Sequence, residues 1–170
     1  MALSPQTELY FIRHGIAAER GTYDHDEDRP LTDKGRARTK TIANQLVKVG
    51  CHTDLILSSP LVRAQQTTRI LLKAELAATS ETIALLAPGG HLADWLPWLA
   101  AWQATHPASR LALVGHEPDL SRWAQQLVHG MWGDLWQLKK AGVIGVTVPA
   151  AEEAIGRSEL FWLTPPRLLL

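Results

Sequence analysis

The sequence has a single cysteine, Cys51. One thiol closes no internal disulfide, so nothing asks for an oxidising compartment, and no Cys/His cluster has zinc-finger spacing. Neither sign of charge is in surplus. The 17 Lys and Arg balance 17 Asp and Glu, a formal net charge of +0 at pH 7. That balance argues against a dedicated nucleic-acid or anionic-membrane binder, while leaving room for a local basic pocket. No apolar run approaches the ~20 residues that a membrane helix needs. The opening residues, Met1 to Glu8, have neither a basic nor an apolar leader region, so no signal peptide is expected and a cytoplasmic location is. Repeats and low-complexity segments are also missing. What remains is a chain of 170 residues, 46% hydrophobic and 20% charged, which suits one folded domain over residues 1–170.

Short apolar runs alternate with longer amphipathic ones. Leu9–Ile12, Asp54–Ser58 and Leu111–Val114 read as buried strands. A polar loop, Ala17 to Pro30, follows the first. Thr32 is a candidate N-cap for a helix ended by Gly50, Pro60 suits the first turn of a helix to about Ala74, and Pro118 opens one to about Met131. Leu92–Ala104 reads as a further helix, Glu81–Leu86 as a short strand broken by Pro88-Gly89-Gly90, and Val143–Val148 and Leu160–Leu163 as late strands. The alternation predicts an α/β three-layer sandwich, with helices on both faces of a mostly parallel mixed sheet. The late strands have no helix-length segment between them, so one is expected to run antiparallel.

Three motifs directly follow apolar strands: Arg13-His14-Gly15, Ser58-Ser59-Pro60-Leu61-Val62-Arg63 and Gly115-His116-Glu117. Ligands of open α/β sheets bind at the carboxyl ends of strands. If these strands are neighbours, two guanidiniums and two imidazoles meet at one point, and that set suits phosphoryl transfer. Arginine forks hold phosphate oxygens, a neutral imidazole is a competent nucleophile towards phosphorus, and nearby cations keep it unprotonated. His14 is thus the candidate nucleophile, with Arg13, Arg63 and His116 as phosphate ligands. Gly15 would let the backbone approach the phosphate.

Two histidines could instead hold a metal, but such a site wants a further ligand and would be repelled by the arginines, so neither metal nor cofactor is expected. Asp24-His25-Asp26-Glu27-Asp28 reads as a solvated acidic loop, Arg20, Arg36 and Arg38 as solvated, and Cys51 as structural. Trp95, Trp98 and Trp102, and Trp132 with Trp136, have helical spacing and read as core.

These motifs, with Leu31-Thr32-x-x-Gly35, Arg63-Ala64-x-Gln66-Thr67 and Val114-Gly115-His116-Glu117-Pro118, resemble the histidine phosphatase (phosphoglycerate mutase-like) superfamily. The compact length, Arg29-Pro30-Leu31-Thr32, Ala87-Pro88-Gly89-Gly90 and the Trp162-Leu163-x-Pro165-Pro166 ending resemble its SixA branch of phosphohistidine phosphatases. The resemblance spans about residues 8 to 168. It implies a phosphoglycerate mutase-like sheet, a phosphorylated His14 intermediate, no cofactor, and a phosphohistidine-bearing signalling protein, such as a histidine phosphotransfer domain, as partner. Mutase-like members carry a glutamate acid some twenty residues after the second arginine. Here Ile83-Ala84-Leu85-Leu86-Ala87-Pro88 has no carboxylate, which favours a good leaving group such as a protonated imidazole. Glu117 is a candidate replacement acid, its alternative role being support of the loop. A small-molecule phosphomonoesterase and a catalytically silent phosphate-binding regulator are the rival readings.

Overall fold

The computed structural model describes residues 6–133 and 135–170; the leader expectation falls mostly on residues 1–5, outside the described residues. Six strands form one sheet: β1 (Gln6–Arg13), β2 (Leu55–Ser58), β3 (Ser80–Thr82), β4 (Ala108–Gly115), β5 (Val143–Val148) and β6 (Glu159–Thr164). Their order is β3-β2-β4-β1-β5-β6. The first four are parallel, β5 runs antiparallel to β1, and β6 antiparallel to β5. The sheet is therefore mixed and mostly parallel, with one reversed strand.

The alternation of side chains along β1 divides the core in two. Leu9 and Phe11 point to one face, where they join Trp95 and Leu99 of α3 (Leu92–Thr105) and Trp123 and Leu127 of α4 (Asp119–His129). Tyr10 and Ile12 point to the other. They meet Ile42 and Leu46 of α1 (Asp33–Lys48) and Leu71 of α2 (Val62–Lys73). Helices cover both faces, which completes three layers. Among the described residues no helix is long and apolar enough to cross a membrane.

The tryptophan ladder is core packing for Trp95, which is fully buried and stacks on Trp98. Trp132 departs from the expectation: it is exposed, with the Arg122 guanidinium 4.5 Å from its ring centroid. Cys51 is buried and free, and burial pushes its thiol up to about 12. The margin strand β6 exposes Leu160, Phe161 and Leu163.

Several boundaries differ from the sequence reading. Strands β1 and β4 begin earlier, because the hydroxyls of Thr7 and Ser109 pair with one another at 3.4 Å and polar residues continue the strands inside the protein. The segment expected as strand Glu81–Leu86 is strand only to Thr82. From there Ala84–Leu86 makes a 3-10 turn that buries Leu86. Pro60 lies outside the helix it was expected to open; α2 starts at Val62 behind Leu61, which puts Arg63 in the first turn.

Register positions the motifs. Arg13 pairs with Gly115, and Val114 with Ser58, so three adjacent parallel strands end together. Helix α1 seals the loop behind them: Thr32 caps Gly35 N, and a Cβ on Gly35 would stand 2.0 Å from the Ile16 carbonyl oxygen. In an ordinary helix Gly→Ala gains up to ~1 kcal/mol. Here Gly35→Ala should reverse that sign and cost about 1–3 kcal/mol, because backbone has to move. Urea denaturation of the two proteins measures it.

Candidate active site

The predicted residues do converge at the ends of β1, β2 and β4. The His14 and His116 rings lie 5.1 Å apart between centroids, and both are buried. His14 Nδ1 stands 2.7 Å from the Gly15 carbonyl oxygen. A carbonyl only accepts, so Nδ1 carries the proton and Nε2 keeps its lone pair. Arg63 Nε–H donates towards that lone pair at 3.3 Å. Burial first, then the neighbouring His116 and the two arginines, hold His14 down to about 2. Burial and Arg63 hold His116 down to about 3. Both rings are therefore neutral at physiological pH, as a nucleophile and a directed donor require.

Ser59, quoted in the second motif but given no role there, orients His116. Its Oγ accepts the Leu61 N–H at 3.3 Å and lies 2.8 Å from His116 Nε2. A hydroxyl can give or take in this bond, so the contact holds the ring with the proton on either nitrogen. His116 Nδ1 is buried without a protein partner, as is Arg13 Nε. With Nδ1 protonated, two orphan donors on two pocket residues fit an oxyanion. Arg13 is anchored by Nη1, which donates to the Leu138 carbonyl at 2.9 Å.

Packing on α1 also constrains Gly15: a Cβ there would run into Thr39 Oγ1 and stand 3.2 Å from Leu31 Cδ2. The Gly15 N–H donates to Thr67 Oγ1 at 3.0 Å, and the Thr67 hydroxyl donates to the Arg63 carbonyl at 2.8 Å. Gln66 accepts the Leu31 N–H at 2.7 Å. The Gln66-Thr67 pair thus ties α2 to the loops around His14.

Glu117 lies beside the pocket with both oxygens engaged. Oε1 and Oε2 accept from the Ser121 hydroxyl at 2.8 and 2.7 Å, and Oε2 from the Leu138 N–H at 3.3 Å. Burial raises its pKa against the lowering effect of those bonds. The geometry joins α4 to the segment that anchors Arg13, a supporting role.

The acidic loop is not simply solvated. Asp26 accepts from Arg63 Nη2 at 2.9 Å and from Arg29 Nε at 2.8 Å, while Asp24, Glu27 and Asp28 are exposed. Arg29 is itself buried, donating to the Ala18 carbonyl at 2.6 Å. Lys140 belongs to the same electrostatic neighbourhood: burial lowers its pKa, followed by Arg13, Arg29, Arg20 and Arg63. Arg20 is exposed and close enough to lower Arg13 and Arg63, so it edges the pocket. Of these, the Asp26–Arg29 spacing of three was the readable signal; Lys140 had none.

Comparison with known proteins bears on the fold. A family model, the histidine phosphatase superfamily (branch 1), matches residues 9–85. An uncharacterised protein of Picosynechococcus sp. is 50% identical over 164 residues, covering 96% of this chain and 99% of its own. The protein histidine phosphatase SixA, solved in complex with tungstate, superposes with a TM-score of 0.83 at 23% identity, over 96% of this chain and 99% of its own. Phosphoglycerate mutase from Bacillus anthracis gives 0.74 at 13% identity, over 98% and 96%. The fold is thus phosphoglycerate mutase-like.

Two expectations follow. An imidazole depressed below its unfolded value of 6.5 binds no proton in the native state while the unfolded chain does, so stability falls as pH drops below 6.5. Between pH 7 and pH 5 the chain should lose about 2 kcal/mol more than His14→Ala does, measured by urea titration at both values. Equal losses would mean that native His14 titrates normally. Separately, Ser59→Ala should lower kcat on an aryl phosphate by about 10²-fold, since His116 loses the contact that orients its ring.

Proposed function

The chain belongs to the histidine phosphatase superfamily, and we propose that it is a hydrolase that removes the phosphoryl group from phosphohistidine on a signalling protein, such as one carrying a histidine phosphotransfer domain. Arg13, Arg63 and His116 hold the phosphoryl oxygens. His14 Nε2 attacks phosphorus, and a new P–N bond forms as the substrate's P–N bond breaks. The departing imidazole, already protonated on its other ring nitrogen, keeps the bonding pair and leaves neutral. Water then attacks the phosphoryl group on His14, releasing inorganic phosphate and restoring the neutral ring.

The observation that carries the substrate class is the missing acid. Segment 83–88 packs against the end of β4, where a Cβ on Gly115 would stand 3.4 Å from the Leu86 carbonyl oxygen, and its side chains are all apolar. Glu117 spends its oxygens on Ser121 and Leu138. An alkoxide needs a proton as it departs, whereas a protonated imidazole leaves without help. Accessibility points the same way. Arg63 is buried, yet the side chain of its partner Asp26 is 50% exposed. The pocket lies one side chain below solvent, within reach of a histidine on a folded protein.

The test is kcat/KM on a phosphohistidine protein, an aryl phosphate and an alkyl phosphate. We expect that order of activity, inhibition by vanadate or tungstate, and an acid-labile phosphoryl group trapped on the native enzyme but absent from His14→Ala. Glu117→Gln should slow phosphohistidine and alkyl phosphate turnover alike and only mildly, as a supporting role requires; a loss of about 10³-fold or more would make Glu117 the acid. Faster hydrolysis of the alkyl phosphate would favour a small-molecule phosphomonoesterase, and an active His14→Ala would end the covalent mechanism.

A further inference from the structure

We propose that Asp26 is a positioning residue for Arg63, holding the outer end of the guanidinium so that its Nε–H edge faces His14 and the phosphoryl group under attack. The proposal deepens the phosphoryl-transfer reading of the pocket and rests on it.

A guanidinium offers two forks, one between its terminal nitrogens and one along its Nε side. Asp26 takes the terminal fork with two different atoms. Arg63 Nη1 donates to the Asp26 main-chain carbonyl at 2.7 Å, and Nη2 donates to Oδ2 at 2.9 Å. Nε then points at His14 Nε2, at 3.3 Å. A carboxylate mimicking the phosphoryl group would have to occupy the Nε side, next to the nucleophile. Asp26 occupies the other side and leaves that one open.

The clamp is itself clamped. The second carboxylate oxygen, Oδ1, accepts from Arg29 Nε at 2.8 Å, and Arg29 is fixed by its bond to the Ala18 carbonyl at 2.6 Å. Arg29, Asp26 and Arg63 therefore form a chain that ties the loop after β1 to the first turn of α2. Both arginine bonds keep Asp26 ionised, with its carboxyl below the ordinary range. Arg29 and Arg63 are the cations that act on it, while Asp24, Glu27 and Asp28 stand exposed beside it in the same loop. Asp26 is thus a carboxylate in contact with the phosphate-binding arginine, and it repels an incoming anion even as it orients the group that receives it.

That opposition gives a signature no merely structural contact would produce. In Asp26→Ala, kcat on an aryl phosphate and on a phosphohistidine protein should fall about 10²-fold, the size of effect expected from a catalytic group displaced by an ångström. The Kd for inorganic phosphate, measured by calorimetry, should stay level or tighten, since a like charge has gone. Asp26→Asn keeps an acceptor for Nη2 and should recover most of the lost kcat. The Arg63 Nε–H resonance should be sharp and slow to exchange in the native protein and broadened in Asp26→Ala. Unchanged kcat in Asp26→Ala would overturn the proposal. So would a raised kcat, which would make Asp26 an inhibitory occupant, or a loss confined to weaker phosphate binding. If the native enzyme hydrolyses the aryl phosphate alone, the substrate assignment fails and the Asp26 comparison still reads. If it hydrolyses neither, the phosphatase reading fails, and the resonance decides whether Asp26 positions Arg63.

Discussion

A short hydrogen bond, from His14 Nδ1 to the carbonyl of Gly15, decides what this pocket can do. It places the ring proton on the side away from the arginines and leaves the other nitrogen with a lone pair. Much of the neighbouring structure keeps that carbonyl in place. Thr67 holds the amide of Gly15, Thr39 packs where a side chain would have been, and Gly35 lets α1 settle against the next peptide. These residues touch no substrate. They fix the tautomer of one that does.

Electrostatics then set the charges. The two buried imidazoles are neutral, because burial and the arginine charges both oppose protonation. Two carboxylates, Asp26 and Glu117, hold the guanidiniums or their supports. A chain with balanced overall charge thus carries a concentrated positive pocket, without the basic surplus that would invite nonspecific binding to polyanions.

Much of this was legible in the sequence. Apolar runs followed at once by Arg, His or Ser identified the strands and the residues at their ends, since buried parallel strands leave no other place for polar side chains. The candidate phosphate ligands were readable for that reason. The supporting residues were not. Ser59 is one serine of a pair until its contact with His116 is known. Asp26 sits among four other acidic or imidazole residues in a loop whose composition suggests solvent, and only the fold brings it to Arg63, 37 positions away. Gly15, beside His14, invites a ligand explanation, and the packing of a helix behind it is a second constraint that only the fold shows. Strand ends were misjudged where buried hydroxyls pair with one another, as at Thr7 and Ser109, since polarity there does not signal exposure.

The three strands that deliver the site are consecutive in the middle of the sheet, with β3 on one side and β5 and β6 on the other. Each has a hydrogen-bonded neighbour along both edges. Fraying begins at margins, and β6, with its exposed apolar side chains, lies two strands from the catalytic loop. Amide protons of residues 9–12 and 111–114 therefore exchange with solvent only when the whole domain opens, while those at the margins exchange through local fluctuations. The peptides expected to exchange most slowly lie in the strands whose ends carry His14 and His116. A rigid lattice thus holds the nucleophile, and the adaptable parts of the molecule are left at its periphery.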